Sequence, residues 1–402
     1  MKRIREIDAL RGFALFGIIM THMFQGYLAS LVPPQYNGFN MFFPVDELSR
    51  FMVRNFFVGK FYAIFSMLFG LSFYLILDGK KDASSRKFAW RLVLLFVIGY
   101  VHHIHYRGDF LTVYAVFGII LILFRKIPTK IIFVAGLFLA LNGPAVLQKG
   151  SALFFQKTEA APQNTGGKTK LELANSYFDL VLEGEYKKLL ISNSTAGFIN
   201  KYNYLKSSGR MWIVPGLFLL GLWVGRRKWH ERLAHIPLKR LILVSFSIGM
   251  PLVWINFHFS RSNYSEFVQF LGGISKDASN IFMPLFYIGL LLLAYKSNFI
   301  SKFIKYLIPV GKMGLTTYVF QSVFGLFVFY GYGLGLLLKL SGTVALGLGL
   351  LFFIMQMLFA QWWFSKFKYG PLEWLWRCGT DRTWLSNKLS ESDRVSLKFP
   401  VS

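Results

Sequence analysis

Ten apolar stretches, each near the length that carries a helix across a bilayer, organise this chain of 402 residues. They run over 8–28, 57–78, 89–106, 109–124, 130–147, 210–225, 239–258, 279–295, 313–331 and 340–364. In lipid every backbone polar group must find its partner within the chain. Stretches of this kind therefore predict an all-α, polytopic membrane bundle of about ten transmembrane helices. Gly331, Gly333 and Gly335 blur the boundary between the last two, so nine or eleven crossings also fit. The short link His105–Asp109 makes the third and fourth an antiparallel hairpin. Composition agrees: 54% of residues are hydrophobic and only 16% are charged, against about 25% charged in soluble chains.

A formal charge of +26 sits oddly on so apolar a chain. Basic chains usually point to nucleic acid, but here the cations fall between the apolar stretches. With the N-terminus in the cytoplasm, twenty-eight Lys and Arg lie in cytoplasmic segments and six in short outer ones. The positive-inside rule then puts both termini in the cytoplasm. No nucleic-acid partner is expected, and the basic face suits anionic membrane lipids. The single cysteine, Cys378, excludes an intramolecular disulfide and any Cys-based metal site or redox pair.

The expected organisation is one integral membrane domain with four parts. Residues 1–147 hold N-terminal transmembrane helices, and 148–209 form an extracytoplasmic segment with an amphipathic helix. Residues 210–369 hold the C-terminal transmembrane helices, and 370–402 form a cytoplasmic tail. The basic residues before Gly12–Phe24 resemble a signal peptide, yet Asp8 and Arg11 interrupt it and no small-x-small site follows, so a retained first helix is expected. The long segment begins Pro162–Lys168 and continues with a helical stretch, Leu171–Leu190, expected to lie on the bundle surface.

Ionisable residues inside spans are costly and mark cavities or partners. The first helix carries Asp8, Arg11 and His22. Eleven residues at 100° each end about 20° past three full turns, so Arg11 and His22 share a face about 16 Å apart. Asp8, three residues before Arg11, is placed to pair with it as a structural ion pair. Arg91 and His102 repeat the eleven-residue spacing on the third helix, so both imidazoles are expected at similar depth, lining one outer cavity if the helices are neighbours. An imidazole oriented by a carboxylate makes a general base near neutral pH, which singles out His102 with Asp109. His103 and His105 read as solvated at the hairpin tip, and His230 and His235 as solvated in a basic loop. No carboxylate-plus-histidine spacing completes a zinc site, so no metal is expected. Lys60, Arg210 and Lys312 either snorkel to an interface or, with Arg11, bind an anionic group. Ser66 reads as a helix-packing residue. No Walker loop, dinucleotide fingerprint or Gly-x-Ser-x-Gly elbow is present.

Five stretches together resemble the YeiB-like bacterial membrane proteins (domain of unknown function 418). They are Ile7–Ile18; Gly59-Lys60-Phe61 with Phe65–Gly70; Ile98–His102 with Gly108–Ala115; Gly311–Tyr318 with Gln321-Ser322; and Tyr369–Arg377. That family is similar to transmembrane acyltransferases such as heparan-alpha-glucosaminide N-acetyltransferase, whose first helix has the same Asp-x-x-Arg-Gly opening. The resemblance implies a multi-pass protein of the bacterial plasma membrane that moves an acyl group from cytoplasmic acyl-CoA to an extracytoplasmic hydroxyl or amine. This chain departs from the pattern in two places. Relatives commonly carry asparagine where His22 stands, and Met23–Asn55 lacks the histidine that the lysosomal enzyme uses after its first helix. In this reading His102, Asp109 and His22 are catalytic, while Arg11, Lys60 and Lys312 bind the acyl-CoA donor. A transporter or flippase of an anionic or amphipathic solute would use the same residues, and a scaffold would use them only to lock helices. Membrane lipids, acyl-CoA and an unidentified acceptor are the expected partners, and a homodimer stays open.

Overall fold

The computed structural model describes residues 4–30, 32–80, 82–155, 170–260, 263–297 and 299–390. Pro162–Lys168, and Lys2, Arg3, Lys81, Arg394 and Lys398 of the basic segments, lie outside the described residues. Helix accounts for 77% of the structure, and no β-strand forms among the described residues.

In chain order the α-helices are α1 (Arg5–Phe24), α2 (Pro44–Met52), α3 (Phe61–Phe73), α4 (Ser85–His105), α5 (Leu111–Leu121) and α6 (Thr129–Ala140). Then come α7 (Gly143–Phe155), α8 (Lys170–Glu183), α9 (Tyr186–Ser194), α10 (Ala196–Ser207), α11 (Arg210–Arg226) and α12 (Leu238–Phe259). The last are α13 (Glu266–Tyr295), α14 (Ile300–Ile304), α15 (Leu307–Lys312), α16 (Gly314–Phe329), α17 (Gly342–Phe364) and α18 (Pro371–Asp381). Each of the ten apolar stretches coincides with a helix. Among the described residues six continuous runs are long and apolar enough to cross a membrane, and three bent pairs bring the number to nine. The tenth stretch, α5 with the 3-10 turn Ile122–Lys126, is shorter than these. The bends are 55° between α6 and α7, 71° between α10 and α11, and 87° where α14 and α15 meet α16.

Lipid tails are as apolar as leucine, so helices in a bilayer gain cohesion by bringing backbones close over small residues. A Cβ on Gly12 would strike the Leu307 carbonyl, and one on Gly311 would strike the Asp8 carbonyl, so α1 and α15 touch backbone to backbone. Gly70 and Gly221 do the same for α3 and α11, against the carbonyls of Phe218 and Met67. The ends are closed by charge. Arg226 grips Asp78 with two hydrogen bonds of 2.7 and 2.9 Å and also donates to the carbonyls of Ile127 and Arg125. The Glu373 carboxylate accepts from the backbone N–H groups of Leu315 and Thr316 and from the Thr316 hydroxyl, satisfying the first turn of α16. Burial pushes that carboxyl above the ordinary glutamate range, and these hydrogen bonds oppose the shift.

The long segment is three helices where one was expected. The chain turns at Gly184, whose φ of +72° suits glycine, and α8, α9 and α10 follow one another over one end of the bundle. Nor does it simply lie on the surface. Tyr177, Phe178 and Val181 are fully buried, the Val181 carbonyl accepts from Gly331 N–H at 2.8 Å, and the Tyr177 and Tyr330 hydroxyls bond to each other. Arg107, in the turn after α4, stacks 3.6 Å from the Tyr177 ring and donates to Ser192 and Asn193. A charge paired this way can sit in an apolar interface.

Gly311→Leu should therefore lower the thermal stability of the detergent-solubilised protein by about 1–3 kcal/mol, the usual cost of overpacking. Gly347→Leu, where an added Cβ meets nothing within 4 Å, should leave the melting curve in place. Equal melting of the two variants would contradict the backbone contact as a source of stability.

Candidate active site

The site begins with the hairpin of α4 and α5. His102 lies one turn before the end of α4, and Asp109 stands just before α5. The His102 Nδ1 is 2.9 Å from an Asp109 carboxylate oxygen. That carboxylate is 1% exposed and also accepts from the backbone N–H groups of Leu111 and Thr112, the Thr112 hydroxyl and Lys201 Nζ. With Nδ1–H given to Asp109, the imidazole carries its lone pair on Nε2. Nε2 is buried and has no hydrogen-bond partner in the protein. The Tyr318 ring lies 5.2 Å from the imidazole, and the Tyr106 ring 5.8 Å.

His22 approaches the same tyrosine from the first helix. Its ring centroid is 6.0 Å from that of Tyr106, so Tyr106 stands beside both imidazoles. The helices that carry them are not closely packed, however. α1 packs chiefly on α15, α17 and α3, and α4 on α5, α9 and α18. A cavity of about 1270 Å³ is lined by residues of both, and it explains how the two rows of polar groups face each other across a gap.

One end of this cavity holds Arg11, Lys80, Arg91, Lys312, Lys368 and Arg377; the other holds His22, Tyr106, Asp109, Lys201 and Arg210. Phe61, Phe65, Leu68, Phe69 and Leu92 line the space between. At the basic end aromatic rings hold the cations. Arg91 lies 4.1 Å from the Trp376 ring, Arg377 4.5 Å from Tyr369, and Lys312 3.9 Å from Phe364. Arg11 bonds Asp8 at 2.8 Å and the Ser72 hydroxyl at 2.6 Å.

Of the residues singled out in the sequence, His22, Asp109, Asp8, Arg11 and Lys312 line the cavity, and His102 is bonded to its wall through Asp109. Lys60 does not join Arg11 and Lys312. It is buried at the start of α3, outside the cavity lining. Ser72, which binds Arg11, lies near the other end of the same helix, about 18 Å away at 1.5 Å per residue. His103 departs from the solvated reading: it is fully buried, its ring 4.4 Å from that of Phe198 on α10. The long segment covers it. His230 is likewise buried, against Tyr74, and burial pushes its imidazole below the usual histidine range. Ser66 bonds the Tyr114 hydroxyl at 2.7 Å inside the bundle. Among the described residues no group of three His, Cys, Asp or Glu side chains is placed to hold a metal ion.

Sequence reasoning missed Lys201, Thr112 and Tyr106. Asp109 caps the start of α5 by accepting from the N–H and hydroxyl of Thr112 three residues on, a local spacing that could have found Thr112. Lys201 left no such signal, because only the fold of α10 brings it to Asp109.

Residues 224–383 match the family described as "Protein of unknown function (DUF418)". Similarity extends over nearly the whole chain. It is 26% identical over 399 residues to the uncharacterized protein YxaH of Bacillus subtilis (strain 168), covering 95% of each chain. It is 26% identical over 394 residues to the uncharacterized protein YeiB of Escherichia coli (strain K12), covering 94% of this chain and 96% of that one. The chain is thus similar to YeiB-like proteins over its length and, over residues 224–383, to the DUF418 family. An uncharacterized 39.9 kDa protein in the amylase 3′ region of Bacillus acidopullulyticus is 25% identical over 397 residues. No solved structure matches. The family match covers the C-terminal half, α11 end to α18, whereas His22, His102 and Asp109 lie before it. The family match thus speaks to the C-terminal part of the bundle, and the chemistry of the site rests on its geometry.

Asp109→Asn should destabilise the protein by about 3–5 kcal/mol, the cost of leaving a buried cation without its carboxylate. Lys201→Met should cost less, because Asp109 keeps His102, Thr112 and two backbone donors. Melting curves of the two variants check this order, and the reverse order would refute it.

Proposed function

We propose that this protein is a plasma-membrane acyltransferase that moves an acyl group from cytoplasmic acyl-CoA to a hydroxyl or amine acceptor on the opposite side of the bilayer. One observation carries this reading. A single cavity links a cluster of cations at one end to Asp109 at the other, and behind that wall Asp109 orients the His102 imidazole, whose buried Nε2 has no partner in the protein.

Each part of the cavity suits a part of that reaction. The CoA phosphates would meet Arg91, Lys312, Lys368 and Arg377, with Arg11 beside them. Arginine and lysine bind phosphate oxygens through charge-assisted hydrogen bonds, and a low-dielectric surround strengthens them. The apolar middle accepts the uncharged pantetheine arm and excludes water, which protects the thioester from hydrolysis. Along α1 the distance from Arg11 to His22 is about 16 Å, a span that an extended arm bridges.

The bond changes follow. His102 Nε2 takes the proton of the acceptor hydroxyl or amine as its oxygen or nitrogen attacks the thioester carbonyl. The carbon–sulfur bond of the tetrahedral adduct then breaks, and the imidazolium returns the proton to the leaving thiolate. Asp109 stabilises the imidazolium and fixes its ring without taking the proton itself. His22, on the other side of Tyr106, is placed to polarise the carbonyl.

A transporter or flippase would line its path with the same residues. What favours chemistry is the fixed state of Asp109, tied to α4, α5 and α10 at once.

The test uses the purified full chain in nanodiscs, with acyl-CoAs of several chain lengths, following binding and thiol release. Wild type should bind and turn over one length class. His102→Ala should keep binding and lower turnover by about 10²–10⁴-fold, the usual share of a general base. Arg377→Gln should weaken binding. Absence of CoA binding at every chain length sinks the proposal, and solute movement without thiol release would favour the transporter.

A further inference from the structure

Arg210 opens α11 at the histidine end of the cavity. Its guanidinium lies 4.7 Å from the Tyr62 ring, 5.0 Å from Tyr204 and 5.2 Å from Phe110. Phe110 directly follows Asp109, and Arg210 and Asp109 line the same cavity. The position depends on Gly209, whose φ of +73° turns the chain through 71° between α10 and α11. That turn lets consecutive helices bring Lys201 and Arg210 to one chamber.

The two cations differ in what satisfies them. Lys201 is bound to Asp109 and Thr112. Arg210 lies against ring faces, Tyr62 nearest, and among the described residues no carboxylate forms a salt bridge with it. A guanidinium carries five N–H donors in its plane. Ring faces packed against it hold its position and leave donors at the plane's edge for a planar oxyanion. A partly buried cation that keeps its charge in an apolar chamber is costly unless an anion meets it there.

We infer that Arg210 is an oxyanion subsite and that the molecule acted on at the histidine end carries a phosphate or carboxylate group, held while a nearby hydroxyl or amine faces His102. The assignment of that molecule as the acyl acceptor rests on the acyltransferase reading; the subsite itself does not. Asn203 and Ser207, which also line this end, supply neutral polar contacts beside it. The anion would come either from a soluble metabolite or from a lipid headgroup.

The experiment measures binding without acyl-CoA, on the full chain. Glycerol 3-phosphate, glycerate and neutral glycerol are titrated into protein in phosphatidylcholine nanodiscs. A parallel set of nanodiscs contains phosphatidylglycerol, read by lipid retention in native mass spectrometry. At least one anionic probe should bind while glycerol does not. Soluble-probe binding indicates a metabolite, and phosphatidylglycerol retention alone indicates a lipid. Arg210→Gln should weaken that binding about tenfold or more, as loss of a charge-assisted fork does. Arg210→Lys, which keeps the charge and tests whether a lost signal is only misfolding, should weaken it less. Lys305→Gln, exposed and outside the cavity lining, should leave it unchanged. Failure of every anionic probe to bind overturns the inference, as does binding lost in Lys305→Gln and kept in Arg210→Gln. CoA binding with no oxyanion at Arg210 would leave the acyl-transfer reading standing and remove this one; the reverse result would do the opposite.

Discussion

A carboxylate removed from water must be met by donors, and Asp109 meets this demand from three helices. It takes a hydrogen bond from His102 at the end of α4, three from the start of α5, and one from Lys201 on α10. His102, the start of α5 and Lys201 meet only when the hairpin closes and the long segment folds down. The buried charge thus forces a geometry on elements that apolar contact alone would leave free to slide. It sets the tautomer of His102 and so the direction of its free lone pair. Tyr106 and Tyr318 stand beside that imidazole, and Arg210 lies against the ring of Phe110, the residue after Asp109.

Much of this was legible in the chain. The eleven-residue spacing of Arg11 with His22, and of Arg91 with His102, follows from helix geometry and needs no tertiary knowledge. Asp8 with Arg11, and His102 with Asp109, are local enough for spacing to suggest them. Lys60 was grouped with Arg11 although its place at the start of the stretch 57–78 puts it at the end opposite Arg11 in a bundle of alternating helices; the Arg11–Ser72 bond, near the far end of α3, bears this out. His103 read as solvated because Phe198, which covers it, lies nearly a hundred residues later. Lys201 was invisible for the same reason. Charge counting sets long loops aside, and this loop is the one that completes the site.

The stretches that suggested a family owe their positions to packing as much as to chemistry. Gly311 in one stretch meets Asp8 in another, and the turn that Gly314 opens is capped by Glu373 from a third. Ser66 from a fourth bonds Tyr114 in the fifth. Residues far apart in sequence therefore hold one another at the cavity wall, α1 against α15 and α16 against α18. In a bilayer, where apolar burial gives helices little reason to associate, such close contacts and satisfied caps are what make a bundle of defined shape.

That shape bears on the choice between moving a molecule and transforming it. Alternating access requires one half of a bundle to rock against the other, so groups that bind the solute must exchange partners during the cycle. The cavity here has its polar ends built in opposite ways. At the basic end the cations lie against ring faces, contacts that tolerate displacement. At the histidine end the carboxylate is bonded to three helices, and opening any of those interfaces would leave a charge unpaired in a dry interior. A site that yields at one end and is rigid at the other fits a donor that comes and goes at the basic mouth, and a reacting centre that stays put.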